Sequence, residues 1–201
     1  MNRGPSFIDY LRKRAVLILD GAMGTEIQKL SLADDAWGGH PGCTEALNLS
    51  APDVIGNIHR AYLAAGADVI ETNTFGASAA VLSEYGLGDE ARSVARAAAT
   101  IAREAAAGIK ERPCFVAGSL GPGTKLPSLG HTDFDGIYNA YLPAVEGLLD
   151  GGIDLFLLET CQDPLQIKAC LCAIRDALAW RKLNMPVAAS VTVETTGTLL
   201  V

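Results

Sequence analysis

Acids, hydroxyls and an amide recur at the ends of apolar runs in this chain. Asp20 closes Leu17-Ile-Leu-Asp20, and Glu71, Thr72 and Asn73 follow Asp68-Val-Ile. Glu159 and Thr160 close Leu155-Phe-Leu-Leu, and Ser190, Thr192 and Glu194 lie along the run from Pro186. Apolar runs of this length read as strands covered on both faces. Polar groups at their C-terminal ends are where ligands sit in open sheets and barrels. Several such strands describe an active-site mouth better than a structural core. Each residue also has a plainer reading. Asp20 is equally suited to capping a short helix after it. Glu71 faces either the mouth or a neighbouring helix or strand. Glu159 is harder to explain structurally, since a carboxylate ending an apolar strand needs a partner or water.

The elements that would position these residues alternate. Strand-like runs near 15–20, 67–73, 114–118, 154–160 and 186–193 are separated by helical patterns, which predicts βα units around a parallel sheet. Ser50-Ala-Pro-Asp53 reads as a capping box opening a helix through Val54, Ile58 and Leu63, with Gly66 at its end. Asp89 to Ile109 is an Ala-rich helix. Phe134 to Leu149 is another, with a bend expected at Pro143, and Asp163-Pro164 opens a last helix to about Leu183. Ala65-Gly-Ala-Asp68 and Gly151-Gly-Ile-Asp154 echo one another before two of the strands. A closed βα barrel needs eight strands and about 250 residues. Five strands in 201 residues read as a single α/β domain of barrel type, cut short after about five βα units.

Composition narrows the partners. The balance of 16 basic against 23 acidic residues gives 16 − 23 = −7, and no basic stripe with aromatics suggests nucleic acid or an anionic membrane. No apolar run approaches the ~18 residues of a membrane span, and the first residues lack a signal-peptide core, so a cytoplasmic protein is expected. Cys43, Cys114, Cys161, Cys170 and Cys172 are odd in number and form no Cys-x-x-Cys pair, which reads as reduced thiols, mostly buried. Cys170 and Cys172 lie two apart on a helix and cannot easily chelate one ion. Cys161 ends a strand near Glu159, but one thiolate is not a zinc site. His59 falls on a helix as a core or surface residue. Gly118-Ser-Leu-Gly-Pro-Gly123 matches neither the P-loop nor the dinucleotide fingerprint. An aldolase-type barrel would need a strand-end Lys, and Lys125 lies in a loop.

Several of these segments together resemble one family. Asp20-Gly-Ala-Met-Gly-Thr-Glu-Ile-Gln28, Asn48-Leu-Ser-Ala-Pro-Asp-Val-Ile55, His59-Arg-Ala-Tyr62, Ala65 to Phe75, Ala117-Gly-Ser-Leu-Gly-Pro122 and Leu158-Glu-Thr160 resemble, in order, the homocysteine S-methyltransferases. Ala46 to Phe75 and Lys125 to Tyr141 favour the branch of the cobalamin-dependent methionine synthases. The resemblance implies a (βα)₈ barrel and transfer of a methyl group to the sulfur of homocysteine. It also implies a zinc ion that binds the thiol and lowers its pKa, with methylcobalamin and folate on separate modules. Asp20 and Glu159 would then hold the ammonium group of the amino acid. The backbone N–H groups of Gly21 and Ala22, where many relatives have Gly-Gly, would face its carboxylate. Thr72 and Asn73 would support binding. The family's zinc ligands, three cysteines after the sixth and eighth strands, match none of the five here, so no metal ligand and no catalytic residue is assigned. A non-catalytic half-barrel is the rival reading, since exposed first and fifth strands favour association with another chain.

Overall fold

A computed structural model describes residues 6–14 and 16–201. Four parallel strands form one sheet in the order β1 (Val69–Glu71), β2 (Phe115–Leu120), β3 (Leu155–Cys161) and β4 (Val187–Val191). Eight α-helices accompany them among the described residues: α1 (Phe7–Lys13), α2 (Met23–Gln28), α3 (Leu47–Ser50), α4 (Pro52–Ala65), α5 (Ala79–Leu82), α6 (Ala91–Gly108), α7 (Phe134–Gly151) and α8 (Pro164–Arg181). The first expected strand is reduced. Ala15 lies outside the described residues, and Leu19 makes a single parallel bridge to Val69. The other four strands fall where the apolar runs put them.

Alternation along the strands divides the sheet into two faces. Ile70, Val116, Leu120, Phe156 and Leu158 belong to the large core beneath α4, α6, α7 and α8. Val69, Phe115, Ala117 and Leu155 form a separate cluster on the opposite face with Leu17 and Leu157. Helix α1 covers the N-terminal end of that cluster, with the Phe7 and Tyr10 rings each 5.4 Å from the Phe115 ring. This helix was not anticipated. Its signals were Ser6, whose hydroxyl accepts the Asp9 N–H at 3.2 Å, and the i, i+3 spacing of Phe7 and Tyr10.

The sequence echo has a structural cause. Gly66 (φ 109°) and Gly152 (φ 87°) end α4 and α7 in the left-handed conformation, which costs glycine nothing. Two residues on, Asp68 accepts the Ile18 N–H at 3.1 Å and Asp154 accepts the Val116 N–H at 2.8 Å. Each carboxylate also holds an arginine, Arg14 for Asp68 and Arg103 for Asp154. The same device thus stitches two strand starts to the chain beside them.

The helices differ from expectation in detail. Ser50 donates to the Ala36 and Ala46 carbonyls, and α4 begins at Pro52 without a side-chain cap, so the capping-box reading fails. Proline at the first helical position explains why none is needed there, because one of the orphan N–H groups is absent. Pro143 sits inside α7. That helix packs tightly on α6: a Cβ on Gly147 would come within 2.2 Å of the Arg92 carbonyl oxygen. The facing stripe of α6 is correspondingly small, with Ala91, Ala95, Ala98, Ala99 and Ala102 all buried.

In α4, Ile55, His59 and Leu63 form one buried stripe. His59 is fully buried, and neither ring nitrogen has a partner among the described residues. Burial, with a lesser effect from Arg60, lowers its pKa from 6.5 to about 4. The unfolded chain therefore takes up this proton first as pH falls. The stability that neutral His59 contributes is complete above pH 6.5 and is lost on the way down to about 4. Replacing His59 by Leu removes two unpaired nitrogens worth ~1–3 kcal/mol of desolvation. The variant is expected to be at least as stable at pH 7 and to lose about one proton of acid dependence between pH 6.5 and 4 in urea midpoints. An unchanged acid limb would refute this account of His59.

Candidate functional site

Glu71, Ser119 and Glu159 stand on β1, β2 and β3 on the same face as the Val69–Phe115–Leu155 cluster, towards the C-terminal ends of the strands. Asp20 joins them from the bridged segment beside β1. Its Oδ2 accepts the Glu71 N–H at 3.0 Å, while Oδ1 is buried with no partner among the described residues. Asp20 is therefore not a helix cap; Ala22 precedes α2 and makes no side-chain cap bond. The Ser119 hydroxyl donates to Glu159 Oε1. Of the two readings of Glu71, the mouth is the one the structure adopts: alternation from Val69 puts it on the sheet face that carries Ser119 and Glu159.

Three acids in one half-buried place have the expected electrostatic effect. Burial pushes the Asp20 carboxyl up to about 7, with Glu159 adding to the rise and the Glu71 N–H opposing it. Burial first, then Glu159 and Asp20, push Glu71 up to about 8.

Glu159 follows Leu155 and Leu157 in alternation, and a bulge comes directly after it. Leu158 pairs with Ala189 and Cys161 with Val191, so β3 advances 161 − 158 = 3 residues while β4 advances 191 − 189 = 2. The extra residue is Thr160, held at φ 58°, and its N–H donates to the Ser190 hydroxyl at 3.0 Å. Simple alternation would put Cys161 on the same face as Glu159. The bulge instead sends Cys161 into the core with Cys170, so Cys161 has a packing role. A β-branched residue in the left-handed region is strained, and here the strain accompanies the turn of Cys161 to the other face.

Gly21 and Ala22 form the rim beside Asp20. A Cβ at Gly21 would lie 2.9 Å from the Tyr62 hydroxyl, which donates to the Ala22 carbonyl at 3.3 Å. Thr72 and Asn73 are close by but otherwise engaged. The Thr72 hydroxyl bonds Thr74 and the Ser119 N–H, at 2.6 and 3.0 Å. The Asn73 amide donates to the Thr44 carbonyl and to Asn48 Oδ1, at 2.8 and 3.1 Å. Both shape the loop after β1. Ser119 and Tyr62 were missed as individual residues; Ser119 was legible, since it lies two residues after Ala117 on an alternating strand. Two cavities lie elsewhere, one along α6 by Arg92 and Arg96, the other by Phe7, Cys114 and Pro186. Neither borders the three acids. Among the described residues no three His, Cys, Asp or Glu side chains are placed to hold a metal ion.

The parallel βα succession marks a barrel-type α/β protein with three carboxyl groups gathered at the strand ends. Residues 17–201 match the homocysteine S-methyltransferase family, and the chain belongs to it. It is 48% identical over 195 residues to a methionine synthase of Mycobacterium tuberculosis and 46% identical over 187 residues to that of Mycobacterium leprae. These matches cover 96% and 92% of this chain but only 16% of each relative. The homocysteine methyltransferase MmuM from Escherichia coli, in its metallated form, superposes with a TM-score of 0.73 at 26% identity. That match covers 95% of this chain and 69% of the other, and its oxidized form gives 0.73 as well. The architecture is accordingly that of a partial barrel.

Thr160→Gly tests the bulge. Glycine adopts φ 58° without strain but loses more entropy on folding, so the variant is expected to match the parent or gain up to about 1 kcal/mol in urea unfolding. A loss above about 1 kcal/mol would show that Thr160 is not strained.

Proposed function

We propose that this chain supplies the amino-acid-binding part of a homocysteine S-methyltransferase site of the methionine synthase type, in which a methyl group passes to the homocysteine thiolate to give methionine. The observation that carries the reading is the convergence of Asp20 and Glu159 on the sheet face, with Asp20 Oδ1 buried and unpartnered. An ammonium group brings three donors and a positive charge. It would satisfy that oxygen and relieve the repulsion among the acids. The N–H groups of Gly21 and Ala22 then lie on the rim where the carboxylate of the same amino acid would rest. Thr72 and Asn73 act indirectly, by holding the loop after β1 against Asn48 and Ser119.

The methyl donor in this reading is methylcobalamin on a separate module, recharged from a folate module. The identity to methionine synthases and the small share of those proteins that this chain spans support it. The residues here do not fit the zinc ion implied by the family. Cys161 and Cys170 are buried in the core, Cys43 is buried by α3, and Cys114 and Cys172 lie apart from the mouth. No step is assigned to a metal on these residues.

Calorimetric titration with L-homocysteine under reducing conditions tests the reading. Saturable binding is expected, with at least a tenfold loss for Glu159→Gln or Asp20→Asn, and no binding of N-acetyl-homocysteine, which lacks the cation. Equal binding of the acetylated compound would overturn it. One observation favours a second reading, association through open edges: all five residues of β4 are exposed, as are Val16, Ile18 and Leu19 on the other side. Sedimentation velocity would then show a concentration-dependent dimer, weakened by Val187→Lys on that strand; a monomer at all concentrations would exclude it.

A further inference from the structure

Ser119 has its backbone N–H and carbonyl bonded by threonine side chains from the loop after β1. The residue pairs of β1 and β2 end at Glu71 and Ala117. Beyond them, the Ser119 N–H donates to Thr72 Oγ1 at 3.0 Å, and the Thr74 hydroxyl donates to the Ser119 carbonyl at 2.7 Å. The two threonine hydroxyls lie 2.6 Å apart. A hydroxyl carries one hydrogen, and that of Thr74 is already engaged, so Thr72 donates to Thr74. The three hydrogen bonds therefore close a ring, and all three residues are buried. Only the Ser119 hydroxyl lies outside the ring, and it donates to Glu159 Oε1. Among the described residues no ion pair reaches Glu159. The serine is thus its fixed point of attachment on the neighbouring strand.

We propose that Ser119 is a positioning residue of this site: its hydroxyl, anchored by the ring with Thr72 and Thr74, orders the Glu159 carboxylate before the amino acid arrives. The inference rests on the reading of Glu159 as an ammonium ligand. Ordering a long, flexible side chain opposes binding when it happens only in the complex. Here the serine holds one carboxylate oxygen in the empty site and leaves the other for the ligand. Burying a hydroxyl in an apolar strand is unfavourable unless it is bonded. On β2, Phe-Val-Ala-Gly-Ser-Leu, the partner of that hydroxyl is an acid at the mouth rather than a structural group. Ser119 itself does not touch the ammonium group; it acts through Glu159. The ring likewise gives Thr72 its part, one step further back.

A double-mutant cycle on the full chain tests it, with L-homocysteine binding measured calorimetrically for the wild type, Ser119→Ala, Glu159→Ala and the double variant. Ser119→Ala is expected to bind about fivefold more weakly than the wild type, the effect of one hydrogen bond. In the Glu159→Ala background the same change should alter affinity by less than about twofold, because the group through which the serine acts is gone. An equal loss in both backgrounds would show that Ser119 supports the site by general packing, and would overturn the proposal. Ser119→Cys separates shape from hydrogen bonding, since a thiol fills the place of the hydroxyl but is a weak donor. It should still bind at least about threefold more weakly than the wild type; full recovery by cysteine would overturn the proposal. If the wild type binds no homocysteine, the role of Ser119 falls together with the amino-acid reading. Homocysteine binding that depends on Glu159 but is unchanged in Ser119→Ala removes only the role of Ser119.

Discussion

Like charges brought together away from any cation are the constraint on which the mouth of this protein depends. A half-buried carboxylate is costly unless it is paired or protonated. Here three are placed together, and a serine hydroxyl and a backbone N–H are their main neutral support. Such a cluster would be eliminated from a site whose only task was stability, since apolar residues of similar size would pack there without repulsion. Its retention on the same face as the Val69–Phe115–Leu155 cluster fits a site that is completed by a ligand, where perturbed acids are concentrated.

Holding the acids there requires a stiff frame, and it is built from repeated local devices. Asp68 and Asp154 pin the starts of neighbouring chain segments through backbone N–H groups. At the other end of the strands, Asp163 accepts from the Ser128 N–H and hydroxyl and caps α8 through the Leu165 N–H. The loop after β2 is thereby fastened to the turn after β3. Asn48 and Asn73 exchange hydrogen bonds across α3 and the loop after β1. These contacts fasten the strands at both ends, and those between Asn48 and Asn73 are buried at the rim. Behind the sheet, the glycines of α7 and the alanines of α6 allow backbone-level contact, which leaves little slack for the strands to shift.

Much of this was legible in the sequence because period-2 alternation and strand-end polarity are strong signals. Four of the five strands, the glycine ends of α4 and α7 and the strand-end setting of Asp20 and Glu159 follow from them. What escaped depends on long-range geometry. Ser50 looks like a cap but turns back to Ala36 and Ala46, because proline already begins α4. Glu71 could not be assigned to a face until the register of β1 against β2 set it beside Ser119 and Glu159. The bulge at Thr160 carries no sequence mark at all, since nothing in Glu-Thr-Cys announces a positive φ. The amide of Asn73 was similarly unreadable: its partners, Thr44 and Asn48, are more than twenty residues away along the chain.

The bulge also explains why the chemistry divides as it does. Glu159 reaches the mouth by alternation and the bulge then turns Cys161 into the core, so β3 supplies charge to the site and withholds sulfur from it. Cys43 and Cys170 are likewise packed among apolar side chains. A buried thiol in apolar surroundings resists ionisation, and burial indeed raises Cys43, Cys161 and Cys170 alike. The mouth thus gathers carboxyl groups, while these three thiols are packed into the core.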